Sequence, residues 1–169
     1  IRGGTDVRRS PTVNYFQYVT LPAFRMIGVD VELKVLKRGY YPKGGGLVRV
    51  KVKKTGILKG MELVDASKPY PSVISVCSNL PKHVAERQLK SAVGYLQQKG
   101  LKVQIEEALV EEAISPGTSI VIYSVGERGP FIGSDSIGER GKPAEAVGLE
   151  AARIFVDEYY SCLLYTSDA

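Results

Sequence analysis

Two runs of strict alternation, separated by a glycine-rich connection, constrain this chain more than any other feature in it. Val29, Val31, Leu33 and Val35 alternate with Asp30, Glu32 and Lys34, and Val48, Val50 and Val52 alternate with Arg49, Lys51 and Lys53. A period of two puts successive side chains on opposite faces, so both runs read as half-buried strands and together as an antiparallel pair. The connection, Arg38-Gly39-Tyr40-Tyr41-Pro42-Lys43-Gly44-Gly45-Gly46, is long for a hairpin. Its three consecutive glycines could aim successive backbone N–H groups at one anion, with Arg38 and Lys43 adding charged contacts to phosphate. They could instead relieve strain in a twisted connection, and periodicity alone favours that second reading. The segment is not a P-loop, because no Gly-Lys-Ser/Thr follows and the glycines precede a strand where a P-loop precedes a helix.

Charge divides the chain just beyond this pair. Residues 1–59 carry 13 Lys+Arg against 3 Asp+Glu, whereas residues 60–169 carry 10 against 15. Within residues 34–59 there are nine Lys or Arg and no acidic residue, and Arg49, Lys51 and Lys53 share the strand face opposite the valines. That row is either a solvated surface or a track for an RNA or DNA backbone, with Tyr40 and Tyr41 available to stack on bases. A hydrophobic fraction of 44% and a charged fraction of 24% exclude a disordered or collagen-like chain. No stretch approaches the roughly 20 apolar residues needed to cross a bilayer, and no signal segment opens the chain, so no membrane partner and a cytoplasmic location are expected. With only Cys77, Cys162 and one histidine, neither a disulfide partner nor a Cys/His zinc set is expected, and Cys77 reads as a buried structural thiol.

Around the strand pair, Ser10-Pro11 reads as an N-cap and first helical position, opening a helix with Tyr15, Tyr18, Val19, Phe24 and Met26 that Pro22 should kink or break. Downstream, residues 73–77 read as a strand and residues 82–99 as a helix with Ala85, Leu89, Ala92, Val93 and Leu96 on one face. Leu101, Val103 and Ile105 alternate as a strand, and residues 118–125 suit a buried strand. Pro143 opens a last helix with Val147, Ala151, Ile154 and Phe155 inward, giving the order β, α, β, β, α for a small α+β layer. Glu127-Arg128-Gly129 and Gly138-Glu139-Arg140-Gly141 are polar turns, and Phe131 between them is either a stacking surface or a plug over the core. His83, beside Lys82 in the first turn of its helix, reads as a surface residue or a helix-start contact, with no Ser/Asp or Cys constellation near it in sequence.

Four segments in order, Gly3-Gly4-Thr5-Asp6 with Ser10-Pro11, then residues 38–46, then Lys82-His83-Val84-Ala85-Glu86-Arg87, then Gly138-Glu139-Arg140-Gly141, resemble the RNA 3′-terminal phosphate cyclase family over roughly residues 1–160. The resemblance implies an α+β fold: part of a βαβαββ-repeat domain (1–56) followed by a smaller inserted α/β sandwich domain (57–160), with 161–169 expected to be a non-native tail. It further implies ATP and a divalent metal (Mg or Mn) as cofactors and RNA with a 3′-phosphate end as partner. Members adenylylate a histidine, pass AMP to the 3′-phosphate, and let the neighbouring 2′-hydroxyl close a 2′,3′-cyclic phosphate, a step favoured by its high effective concentration. The nucleophilic histidine is expected C-terminal to this chain, which leaves the piece without a catalytic residue and inactive. Carried over as nucleotide contacts are Ser10, Pro11, Thr12 and Phe131, while Asn14 stands where the family commonly has an acidic residue. Arg38, Lys43, Arg49, Lys51 and Lys53 are the expected RNA or phosphate contacts; no metal ligand is assigned. Two other readings are a non-cyclising paralogue in pre-rRNA processing and ribosome biogenesis, and a simple basic RNA-binding module.

Overall fold

The computed structural model describes residues 1–53, 56–60, 69–127 and 129–164. The expected turn residue Arg128, residues 54, 55 and 61–68 on either side of the expected domain boundary at 56/57, and the end of the expected tail lie outside them.

A short strand β1 (Arg2–Gly3) pairs with β3 (Gly46–Val52), which pairs with β2 (Val31–Lys37), all antiparallel. The alternation predicts this pair, and the register bears it out: Val31 faces Val52, Leu33 faces Val50 and Val35 faces Val48. The register then slips between Val35 and Lys37. Such a bulge adds one residue on one strand and reverses which face the following side chains take. Strict alternation would put Arg38 outside with Glu32 and Lys34; after the slip it turns inward and is 1% exposed.

Between β1 and β2 the helical segment starts later than expected. Thr12, not Ser10, is the N-cap: its Oγ1 accepts from the Tyr15 N–H at 3.2 Å, and α1 (Val13–Tyr15) begins after it. Pro22 does not break the helix. A π-helical turn, Phe16–Thr20, leads into α2 (Leu21–Met26), with the Leu21 N–H bonding back to the Phe16 carbonyl. The wider turn accommodates the proline ring, which would otherwise meet a carbonyl of the preceding turn.

The second sheet runs β5-β4-β6-β7, built from β4 (Ser72–Ser78), β5 (Ile105–Val110), β6 (Gly117–Val125) and β7 (Phe131–Ile137), with β4 and β5 parallel and the others antiparallel. The observed order β, α, β, β, β, α has one strand more than expected. Residues 101–104 are loop, and the strand begins at Ile105; Leu101 and Val103 instead pack beneath the helices. Phe131 is not on a loop but opens β7, whose alternate residues Ile132, Ser134 and Ser136 are buried. Helices α3 (His83–Gln98) and α4 (Ala144–Leu164) cover one face, enclosing Val73, Ile120, Ile122, Ala92, Leu96, Val147, Ala151 and Phe155. Ile154, expected inward, is 44% exposed. On the other face Ile74, Val76 and Val121 pack against Tyr15, Tyr18 and Tyr123, with the Tyr18 and Tyr123 rings stacked 4.9 Å apart. Both faces being covered explains why β4 and β6 read as continuous apolar runs. The sheet is thus sandwiched between α3/α4 and the helical segment that precedes β2 in sequence.

Candidate functional site

The turn after β1 lines an open cleft of about 430 Å³ whose wall includes Arg8, Arg9, Ser10 and Thr12, facing Asp135 and Ser136 of β7 and Lys142, Glu150 and Ile154 at the α4 side. The Thr12 N–H donates to Asp135 Oδ2 at 2.6 Å, fixing the turn to the sheet edge. Arg8 pairs with Glu139, while Lys142 and Ser136 both donate to Glu150 and hold its carboxyl below the usual glutamate range. Arg9 adopts a left-handed backbone at φ 63°, uncommon for a non-glycine residue, and has no ion pair among the described residues. Ser10 and Thr12, two of the expected nucleotide contacts, therefore share this cleft, with Pro11 exposed between them. Phe131 is not among the lining residues; it lies four positions along β7 from Asp135 and pairs with Val125.

The residues expected on a phosphate track separate into three groups. Arg38 is enclosed by protein acceptors: Nε donates to Glu111 Oε2 at 2.7 Å, Nη1 to Asp6 at 3.2 Å, and Nη2 to Asn14 Oδ1 at 2.7 Å and Glu111 Oε1 at 3.3 Å. Burial works against its charge, yet the Glu111 hydrogen bond and the Asp6 and Glu111 charges hold the guanidinium above its ordinary range. Asn14, which stands where the resembled family commonly has an acidic residue, serves this same residue. Lys53 is tied at 2.9 Å to both Asp30 and Glu32. Lys43, Arg49 and Lys51 are exposed, and Arg49 stands directly across from Lys34. Like charges in that relation are unfavourable, so the strand pair carries a cationic site that an anion would relieve.

The two tyrosines also part company. Tyr40 is 4% exposed, its ring lying where a Cβ on Gly117 would come within 2.1 Å, whereas Tyr41 is 85% exposed. Burial, then the Asp6 charge, pushes the Tyr40 hydroxyl well above its usual range. The glycine run serves packing: a Cβ on Gly46 would meet the Gly3 carbonyl at 2.7 Å and the Gly39 nitrogen at 2.9 Å, so three backbone segments converge there. Gly44 and Gly45 adopt positive φ. Cys77 is buried with its thiol pushed up by desolvation, and His83 lies at the start of α3, outside the cleft lining. Among the described residues no group of three His, Cys, Asp or Glu side chains converges to hold a metal, and the cleft's acids are already engaged by Thr12, Arg8, Lys142 and Ser136. No helix among those residues is long and apolar enough to cross a membrane.

The family model described as RNA 3′-terminal phosphate cyclase matches residues 1–167. The chain belongs to that family. It is similar to an RNA 3′-terminal phosphate cyclase of Archaeoglobus fulgidus, 44% identical over 163 residues, covering 95% of this chain and 47% of the relative. A Saccharolobus islandicus cyclase is 42% identical over 158 residues (93% of this chain, 46% of the relative), and one from Staphylothermus marinus 40% identical over 177 (99% and 49%). The chain thus spans about half the length of the curated cyclases it matches.

Proposed function

We propose that this chain is the part of an ATP-dependent RNA 3′-phosphate cyclase that seats the nucleotide in the Ser10–Thr12 cleft and guides RNA along the Lys34–Arg49 strand face. The observation that carries the reading is the clamped Ser10–Thr12 turn: where the family resemblance expects a nucleotide contact, the turn is held by the Thr12 N–H to Asp135 and opens onto a cleft lined by Arg9, a cation with no ion pair among the described residues. The whole enzyme would convert an RNA 3′-phosphate to a 2′,3′-cyclic phosphate through enzyme-AMP and RNA-adenylate intermediates. His83, outside the cleft, is not the nucleophile in this reading.

Labelled ATP tests it in two ways. The chain is expected to bind ATP reversibly, in competition with AMP, and to acquire no acid-labile covalent label; adenylylation of His83 would overturn the account. Saturable ATP binding that survives Thr12→Ala and Arg9→Ala together would remove the cleft from it.

The like-charged Lys34–Arg49 pair favours a second reading, a basic RNA-binding module with no nucleotide requirement. It predicts salt-dependent RNA binding unaffected by ATP and indifferent to a 3′-phosphate.

A further inference from the structure

We propose that Arg38 is a positioning residue that holds the Val7–Thr12 wall of the cleft in register with the four-stranded sheet; the ligand arm of its test rests on the nucleotide reading above. Three segments converge on its guanidinium. Asp6 immediately precedes the wall, Asn14 follows it by two residues, and Glu111 comes directly after β5. One planar fork thus grips both ends of the wall and one edge of the sheet, a geometry that the single ammonium of a lysine cannot reproduce.

The backbone reinforces the same junction. The Arg38 N–H donates to the Glu112 carbonyl at 2.7 Å, the Thr5 N–H to the Gly39 carbonyl at 2.9 Å, and the Val13 N–H to the Thr5 carbonyl at 2.9 Å. Thr5 Oγ1 donates to Asp6 at 2.6 Å and accepts from the Gly39 N–H at 3.0 Å. At its far end the wall is tied to β7, the opposite edge of the sheet, through the Thr12 N–H and Asp135. The wall therefore spans the sheet from one edge to the other. The left-handed Arg9 lies between the two anchors, a conformation that persists where the surroundings over-determine it.

The test pairs hydrogen exchange with ligand binding in Arg38→Lys, at a temperature where far-UV circular dichroism shows the chain folded. The Thr12 and Val13 amides should exchange about tenfold faster while amides of β4 and α3 keep their protection. ATP should bind about tenfold more weakly, because a displaced wall no longer presents its contacts in place. A merely structural Arg38 would speed exchange across β4 and α3 as well and leave the Kd of the folded chain unmoved; that result overturns the proposal. Unaltered exchange at Thr12 and Val13 overturns it whatever ATP does. A wild-type chain that binds no ATP, with exchange at those amides accelerated in the variant, sinks the nucleotide reading and upholds the positioning role.

If Arg38→Lys does not fold, Glu111→Gln keeps the shape and removes the charge, and is read in the same way. Native-state exchange of the wild type in low urea covers the case in which neither folds. There the Thr12 and Val13 amides must open together with those of Asp6 and Arg38, and separate opening overturns the proposal.

Discussion

Arg38 and Glu150 show how a single side chain's surroundings decide what its charge is for. In sequence Arg38 is one of nine cations in a span without acids, and its three acceptors come from positions 6, 14 and 111. Only the register slip in β2 turns it toward them, and no residue pattern in a two-period strand announces a bulge. Glu150 gives a prediction at this scale. Its carboxyl is held below the usual value of 4.5, first by the hydrogen bond from Lys142 and then by that from Ser136. A depressed folded-state pKa contributes stability that is present above the unfolded value and is lost as pH falls through the folded one. Thermal melts of the wild type should therefore decline more steeply below pH 4.5 than those of Glu150→Gln, while the two differ by a constant amount near neutrality. Parallel declines would show that Glu150 titrates freely. The Ser10–Thr12 turn was legible because Ser, Pro and Thr are the residues a helix start uses, although the capping hydroxyl is two positions later than the pattern implies.

Elements were legible in proportion to the apolar contrast they carry. The valine alternation of β2 and β3, the β-branched run of β6 and the amphipathic face of α3 each stand out against their neighbours. β7 did not, because Ser134 and Ser136 fill two of its buried positions with small polar side chains and Gly133, between Ile132 and Ser134, has none. They are tolerated there since the Ser134 hydroxyl donates to the Ala151 carbonyl and a Cβ at Gly133 would press within 2.5 Å of Val19. β5 was displaced for a related reason: Glu106 and Glu107 are exposed on an edge strand, so its sequence reads as surface. The α3–α4 crossing offers a measurable consequence. A Cβ at Gly148 would lie 2.2 Å from the Gln88 carbonyl oxygen and 3.2 Å from the Ala92 nitrogen, both backbone atoms that cannot rotate away. Gly148→Ala should cost about 1–3 kcal/mol, read as a lower urea midpoint at unchanged slope. A midpoint within error of the wild type would mean that the two helices slide apart freely.

Across the whole molecule the division of charge takes on a physical form that counting alone did not supply. The basic part is the β1–β3–β2 sheet, and the helical segment between β1 and β2 packs on the second, more acidic unit, so the two halves of the sequence interleave in space. Net charge overstates the cationic surface: Arg38 is enclosed, and Lys53 is neutralised by Asp30 and Glu32. What remains on the strand face is Lys34 opposite Arg49, with Lys51 opposite Glu32. Counterion release makes the salt dependence of RNA binding a count of the cations that meet phosphate. Arg49→Gln should weaken RNA binding and lower the slope of log K against log salt by about one, because its cation faces another cation and has most to gain from an anion. Lys53→Gln should leave that slope nearly unchanged, since the Lys53 charge is already spent on Asp30 and Glu32 and its loss frees two carboxylates that repel RNA, lowering affinity chiefly at low salt. Lys51→Gln should fall between the two. If the three variants lowered the slope equally, local pairing would be irrelevant and RNA would sense only the summed charge of the sheet.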